Sequence, residues 1–473
     1  MGGMGRRGGM GGMGLGQWCE VARGLGRCLL GGMKLPRIAP VLAWTLVVAG
    51  AEAATVKNRE GAVRDDKAKM ENDARWIYGD VERGFAEARK AGKPLLVVLR
   101  CVPCLSCGGL DAEVLTQPTL APVLDQFVCV RVINANALDL RRFQWDYDLS
   151  FSTLIFNGDG TLYGRYGSWT HQTDPQARET IGYRRALEAA LALHRGYPAN
   201  KAALAGKQGG PTPFSTPVEI PGLAEKYGRE LNWGGEVMKS CVHCHQVGEA
   251  FRSWHRGKGE AVPLAQIYPM PQAETIGLSL AVDREARVTA VVPGSIAAAA
   301  GFRVGDDLAS FAGQTLISVA DFSWVLHRAP DAGELAAVVR RGGGEVALKI
   351  ALPDGWRAKA NIGRRVGTWS MRAMALGGMS LEELDGAARK ERGIGEGALA
   401  LRVKGVGNFG NHGAAKRAGV QKDDVLVAID GMAAQVTESE LIGRLVRTRK
   451  IGEAVDVTVL RGKERVEVRL PMQ

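Results

Sequence analysis

The chain lacks any run of the roughly 20 apolar residues that a membrane-spanning helix needs. The stretch from Ile38 to Ala49 falls short, and no later segment approaches that length. It also lacks a basic cluster. The net charge is +11 over 473 residues, but Lys and Arg are scattered among acids, which describes a solvated surface rather than a nucleic-acid footprint. Cysteine is missing from most of the chain. Beyond residue 53 only Cys101, Cys104, Cys107, Cys129, Cys241 and Cys244 remain, most of them in two tight clusters. A disulfide framework would spread its pairs, so clustering points to redox or cofactor chemistry.

Glycine, by contrast, is abundant, with 63 residues. Part of the surplus lies in Met1–Gly32, a Gly, Met and Arg rich tract with no apolar period that could define a packed element. From Met33 the pattern becomes basic (Lys34, Arg37), then apolar, then Ala51-Glu52-Ala53, which reads as a secretory signal peptide over 33–53. The alternative is an uncleaved amino-terminal anchor. The expected start is Met33, and the expected location is the periplasm or cell envelope, with no transmembrane span after removal of the signal. The first 53 residues hold Arg6, Arg7, Arg23, Arg27, Lys34 and Arg37 against Glu20 and Glu52, leaving +7 on the remainder. Length predicts two to four domains, and 46% apolar with 23% charged residues is ordinary for globular ones.

Periodicity predicts a tether or surface helix over Arg59–Asp73, a helix over Asp80–Ala91, strands at Leu95–Leu99 and Phe127–Ile133, and a helix opening at Cys104. Asn157-Gly158-Asp159-Gly160 marks a hairpin between Thr153–Phe156 and Thr161–Tyr166, followed by a helix from about Pro175 to His194. With RCVPCLSCGGLD at Arg100–Asp111, this order resembles the thioredoxin-like family over residues 70–197. The resemblance implies an active pair of Cys104 and Cys107 at a helix amino terminus, where dipole and free amides favour the thiolate. Cys104 would attack a disulfide and Cys107 would resolve the mixed disulfide, with Cys101 adjacent. Two features depart from the family: Pro103 stands where a tryptophan is usual, and Ser152 precedes Thr153 where a cis-proline is usual. A soft metal held by Cys101, Cys104 and Cys107 is the alternative. Cys129 sits in an apolar strand and reads as core.

Residues 198–222, with GGPTPFSTP at the centre, read as a linker. The segment 223–271 follows, short and mostly helical by expectation, and contains SCVHCHQ. Cys-x-x-Cys-His is the haem c attachment pattern, with Cys241 and Cys244 as anchors, His245 as axial ligand, and Met270 or His255 as a sixth ligand. WGGEVMKS, just before it, would be the first helix of such a module. A zinc knuckle using Cys241, Cys244 and two of His243, His245 and His255, or a disulfide, are the alternatives.

The remainder is repetitive. GSIAAAAGFRVGDDL (Gly294–Leu308) and GAAKRAGVQKDDVL (Gly413–Leu426) are each followed by a glycine, a helical stretch and two alternating strands around a turn. These copies resemble tandem PDZ domains, over 272–353 and, after a connector, 354–473, of the kind attached to periplasmic serine proteases. The resemblance implies α+β folds, partly open barrels with helices, that bind an extended peptide as an added strand. Ile276, Gly277, Leu278, Ser279 and Leu280 would form the binding loop and edge of the first copy; the loop of the second is hard to locate. The serine-protease motif GNSGG is absent, so binding transfers and proteolysis does not. The expected fold class is therefore multi-domain: an α/β thioredoxin-like domain, a CxxCH segment and two α+β PDZ domains. The expected function is thiol redox or redox sensing coupled to recognition of exported proteins or peptides, against a non-catalytic scaffold or a small c-type cytochrome module with binding domains.

Overall fold

A computed structural model describes residues 58–102, 114–168, 180–282 and 286–473. The low-complexity tract, the signal peptide, Cys104, Cys107 and most of the helix expected after them lie outside the described residues, as do residues 169–179 and with them the start of the helix expected from Pro175. A five-stranded sheet is built from β1 (Trp76–Tyr78), β2 (Leu95–Arg100), β3 (Val128–Val132), β4 (Phe151–Phe156) and β5 (Leu162–Tyr166). Its order is β1-β3-β2-β4-β5, parallel from β1 to β2 and antiparallel from there to β5. Every residue of β2 and β4 is buried, as expected of central strands covered on both faces. α2 (Val81–Ala91) covers one face through Phe85 and Ala88. It is capped by Asp80, whose carboxylate accepts the Arg83 N–H, and it stops at left-handed Gly92. α3 (Thr180–Arg195) covers the other face through Tyr183, Leu187 and Leu191.

Two stretches are more tightly held than their composition predicts. Arg59–Met70 is indeed a helix, α1, but no tether: Glu60 accepts the Val237 and Met238 amides, and Asp66 takes Arg100 and the Tyr78 hydroxyl. The expected linker is likewise packed, with Leu204, Lys207 and Ile220 buried. Gly and Pro read as a solvated spacer, yet here they let the chain hug the domain surface. WGGEVMKS makes only a short 3-10 turn at Val237–Ser240. The true helix of the segment is α4 (Cys244–Gly257), which buries Val247, Ala250 and Phe251 against the thioredoxin-like core.

The carboxy-terminal half holds two further cores. The first copy has the hairpin β6 (Leu278–Leu280)–β7 (Val288–Val291), the sheet β8 (Asp307–Phe311), β9 (Gly333–Arg341), β10 (Gly344–Leu352), and α5 (Val319–Arg328). The second has α6 (Thr368–Leu376), β11 (Met379–Glu383), β12 (Leu401–Val406), β13 (Val425–Ile429), α7 (Glu438–Thr448), β14 (Ala454–Arg461) and β15 (Glu464–Pro471), its strands forming one sheet in sequence order. Neither closes into a barrel. The repeat extends to side chains: Arg341 chelates Asp306 and donates to the Gly301 carbonyl at 2.8 Å, and Arg461 does the same with Asp424 and Gly419 at 2.8 Å.

Candidate functional site

Cys101, the described member of the first cysteine cluster, meets His243 of the CVHCH segment. Cys101 follows β2, its amide donating to the Ser150 carbonyl, and its Sγ lies 3.5 Å from His243 Nδ1. His243 sits just before α4. Burial, followed by the charges of His245 and Arg59, pushes its imidazole down to about 4, so it is neutral at physiological pH and available to accept a proton. The His245 ring stacks 6.0 Å away and its Nδ1 contacts Glu249 at 2.9 Å. The side chain that fixes this arrangement is Asn136, fully buried on the thioredoxin-like side. It donates to the Gly228 and Ser240 carbonyls and accepts the Val242 amide, each at 2.8 Å. Nothing in the sequence pattern of INAN marks it.

The residues as folded do not make a haem site. Cys241 is buried, its thiol reaches the Ile133 carbonyl at 3.7 Å, and burial pushes it up to about 12. Cys244 opens α4 and is half-buried near Tyr147. Attachment to both thiols would require Cys241 to leave the core. Met270, expected as a sixth ligand, instead walls a separate cavity. The zinc set containing His255 fails on distance: eleven residues of α4 separate it from Cys244, about 16 Å at 1.5 Å per residue. Among the described residues no group of three His, Cys, Asp or Glu could hold a metal. No disulfide joins Cys241 to Cys244. Cys129 is buried in β3, as expected of core.

The predicted peptide loop of the first copy has the required backbone. Ile276 and Leu278 are buried, and Gly277 is left-handed (φ 82°) with its carbonyl accepting the Val292 amide. Leu278, Ser279 and Leu280 form the edge facing α5. That helix, however, is buried from Val319 through Leu326 because it packs on both sides. Phe322 stacks on Phe311 within the repeat, while Asp321 and Ser318 grip β5. Only about 20 Å³ remains between Leu280, Val319 and Phe322, room for about one water. The groove is shut. In the second copy the corresponding turn before the edge strand is Leu376-Gly377-Gly378-Met379. A Cβ on left-handed Gly378 would lie 2.0 Å from the His412 carbonyl oxygen, so only glycine fits. The edge strand β11 is capped: Leu381 N–H donates to Glu438, which Arg372 pairs. LGGMSL was the available signal.

A thioredoxin-like family model matches residues 76–158, and a PDZ domain model matches residues 287–350, within the first copy. The chain therefore carries a thioredoxin-like domain and a PDZ domain. No curated protein matches it. Among solved structures, the HtrA-type protease AlgW with decapeptide is 19% identical over 29% of this chain and 48% of that one, with a TM-score of 0.19. The same protease with tripeptide is 20% identical over 28% and 41%, with a TM-score of 0.18. The chain spans less than half the length of these structures.

Proposed function

We propose that the protein is an exported thiol-redox or redox-sensing protein that recognises protein segments through its PDZ-type repeats. The observation that carries this reading is the contact of Cys101 with His243, which sets the residue just after β2 against the CVHCH segment. Cys104, as thiolate, attacks a partner disulfide. The displaced sulfur leaves and takes up a proton, and Cys107 then breaks the mixed disulfide, leaving Cys104–Cys107 oxidised and the partner reduced by two electrons. His243, neutral and beside Cys101, offers a local proton acceptor for this thiol group.

Insulin reduction by wild type, Cys104→Ser, Cys107→Ser and Cys101→Ser tests it; turnover that none of the three changes refutes thiol catalysis. Pro103 and Ser152, standing where the family has a tryptophan and a cis-proline, favour a second reading, a scaffold whose thioredoxin-like fold is structural. That reading predicts peptide binding with no cysteine-dependent reduction. Export is tested by the amino terminus of the protein recovered from a bacterial periplasm, where cleavage after Ala53 supports it and an intact Met1 or Met33 does not.

A further inference from the structure

A second cavity, of about 260 Å³, opens where the thioredoxin-like domain, residues 210–213, α4 and α5 converge. Its walls are Trp145, Tyr147, Phe251 and Trp324, with Arg252 between them and Arg328 at the rim. Sites of this kind, apolar walls with a few placed polar groups at a junction of domains, are where small ligands bind. A cavity of about 150 Å³ accepts benzene, so this one has room for one or two rings.

The polar groups name the chemistry. Arg252 is 2% exposed, yet its guanidinium reaches only the Gln266 and Gly367 carbonyls and the Ser370 hydroxyl, and its Nε has no partner. The carboxylates that oppose this charge are Asp148, which also lines the cavity and is already committed to Arg365 and the Gly367 amide, and Glu249, which lies against His245. A buried cation without its own carboxylate is costly. The indole N–H of Trp145, 3% exposed, also has no partner, nor does the side-chain oxygen of Gln266. These three atoms are sealed from the cavity as well as from solvent, which leaves Arg252 and Arg328 as the cationic residues of its lining. Met270 adds backbone strain at the same wall, with a positive φ of 43°.

We propose that this cavity binds a small planar carboxylate, an aromatic acid of one or two rings. The carboxylate neutralises Arg252, with Arg328 beside it in the lining, and the rings lie among the four aromatic side chains. Nothing in this proposal depends on the thiol chemistry.

The test titrates the full chain with benzoate and 1-naphthoate against their neutral amides, following tryptophan fluorescence and heat. Expected is one saturable site for the acids, about tenfold or more weaker for the amides and for Arg252→Gln. Ala265→Phe fills the mouth of the cavity without touching a buried charge and is expected to abolish binding; it decides the matter if Arg252→Gln does not fold. Failure of both acids to saturate at about millimolar concentration, equal binding of acid and amide, or binding unchanged in Ala265→Phe overturns the proposal.

Discussion

Asp321→Asn is the most informative perturbation of this architecture. The Asp321 carboxylate is fully buried. It accepts Lys207 Nζ at 2.6 Å, the Ile317 amide at 3.1 Å and the Arg165 amide at 3.0 Å, with the Arg165 guanidinium at 4.0 Å. One group thus ties the packed connector, β5 and the first repeat together. Burial pushes both Lys207 and Arg165 below their usual ranges, and Asp321 is the main charge opposing that. Asparagine keeps the shape but turns an N–H₂ toward one cation and leaves two buried charges uncompensated, which costs about 3–5 kcal/mol. A multi-domain chain does not unfold in one step, so the loss falls on the junction rather than on every core. Hydrogen exchange read by mass spectrometry should therefore lose about two to four decades of protection in residues 162–168, 203–208 and 317–326, with the second repeat unchanged. Adding Lys207→Met, which removes one stranded cation, should restore at least about half of the loss. A loss below about 1 kcal/mol, or a double variant no better than the single, would show that the pair does not hold the junction.

Three further outcomes follow. Asn136→Ala leaves two carbonyls and one amide of the CxxCH segment unpaired at about 1–3 kcal/mol each, so exchange should rise at residues 228–244 before the sheet opens; concurrent opening refutes the clamp. Burial holds Cys129 and Cys241 at about 12, so at pH 8 about one thiol in 10,000 is ionised, and iodoacetamide should label them at least about 100-fold more slowly than a free reference peptide; parity refutes their burial. His327 is pushed down to about 3 by burial and then by Arg357, Arg328, Arg165 and Arg365. Its unfolded form binds the proton first, so the stability it supplies is complete above about 6.5 and is lost as pH falls toward 3. His327→Gln should flatten that acid limb, measured by denaturant melts between pH 7 and 4, and identical limbs refute it.

Local elements were legible because their signals are short-range. Asp80 before an amphipathic run, NGDG between alternating strands and the two GD/DD repeats each specify geometry within a few residues. What was not legible depends on partners far along the chain. Arg59–Met70 is charged enough to read as a tether, and contacts from distant residues, among them Tyr78, Arg100, Trp233, Val237 and Met238, make it structural. Lys207 in a Gly-rich stretch reads as solvated until Asp321, over 100 residues away, buries it. The CxxCH motif has the right spacing for haem, but spacing says nothing of which way each thiol points; Ile133 and Asn136 decide that. His255 failed as a ligand for a reason the sequence did contain, since an unbroken helix places it three turns from Cys244.

The closure of the first peptide groove follows from using α5 twice. The helix that walls the groove also carries Asp321 and Ser318 into β5, so its position is set by the junction and not by a peptide. A strand added beside Leu278–Leu280 needs space that exists only if α5 shifts, and a shift lengthens the 2.6 Å contacts that Asp321 and Ser318 make. Peptide binding and junction closure therefore draw on one equilibrium, and by linkage each must weaken the other by the same factor. Asp321→Asn, which loosens the junction, is expected to tighten binding of a carboxy-terminal apolar peptide to the first copy by about tenfold or more, measured by fluorescence anisotropy. Gly277→Val, which puts a side chain where Ser295 already lies 2.2 Å from the added Cβ, should remove that gain. If Asp321→Asn leaves peptide affinity unchanged while hydrogen exchange shows the junction open, the two surfaces of α5 are not coupled and the groove is closed for a different reason.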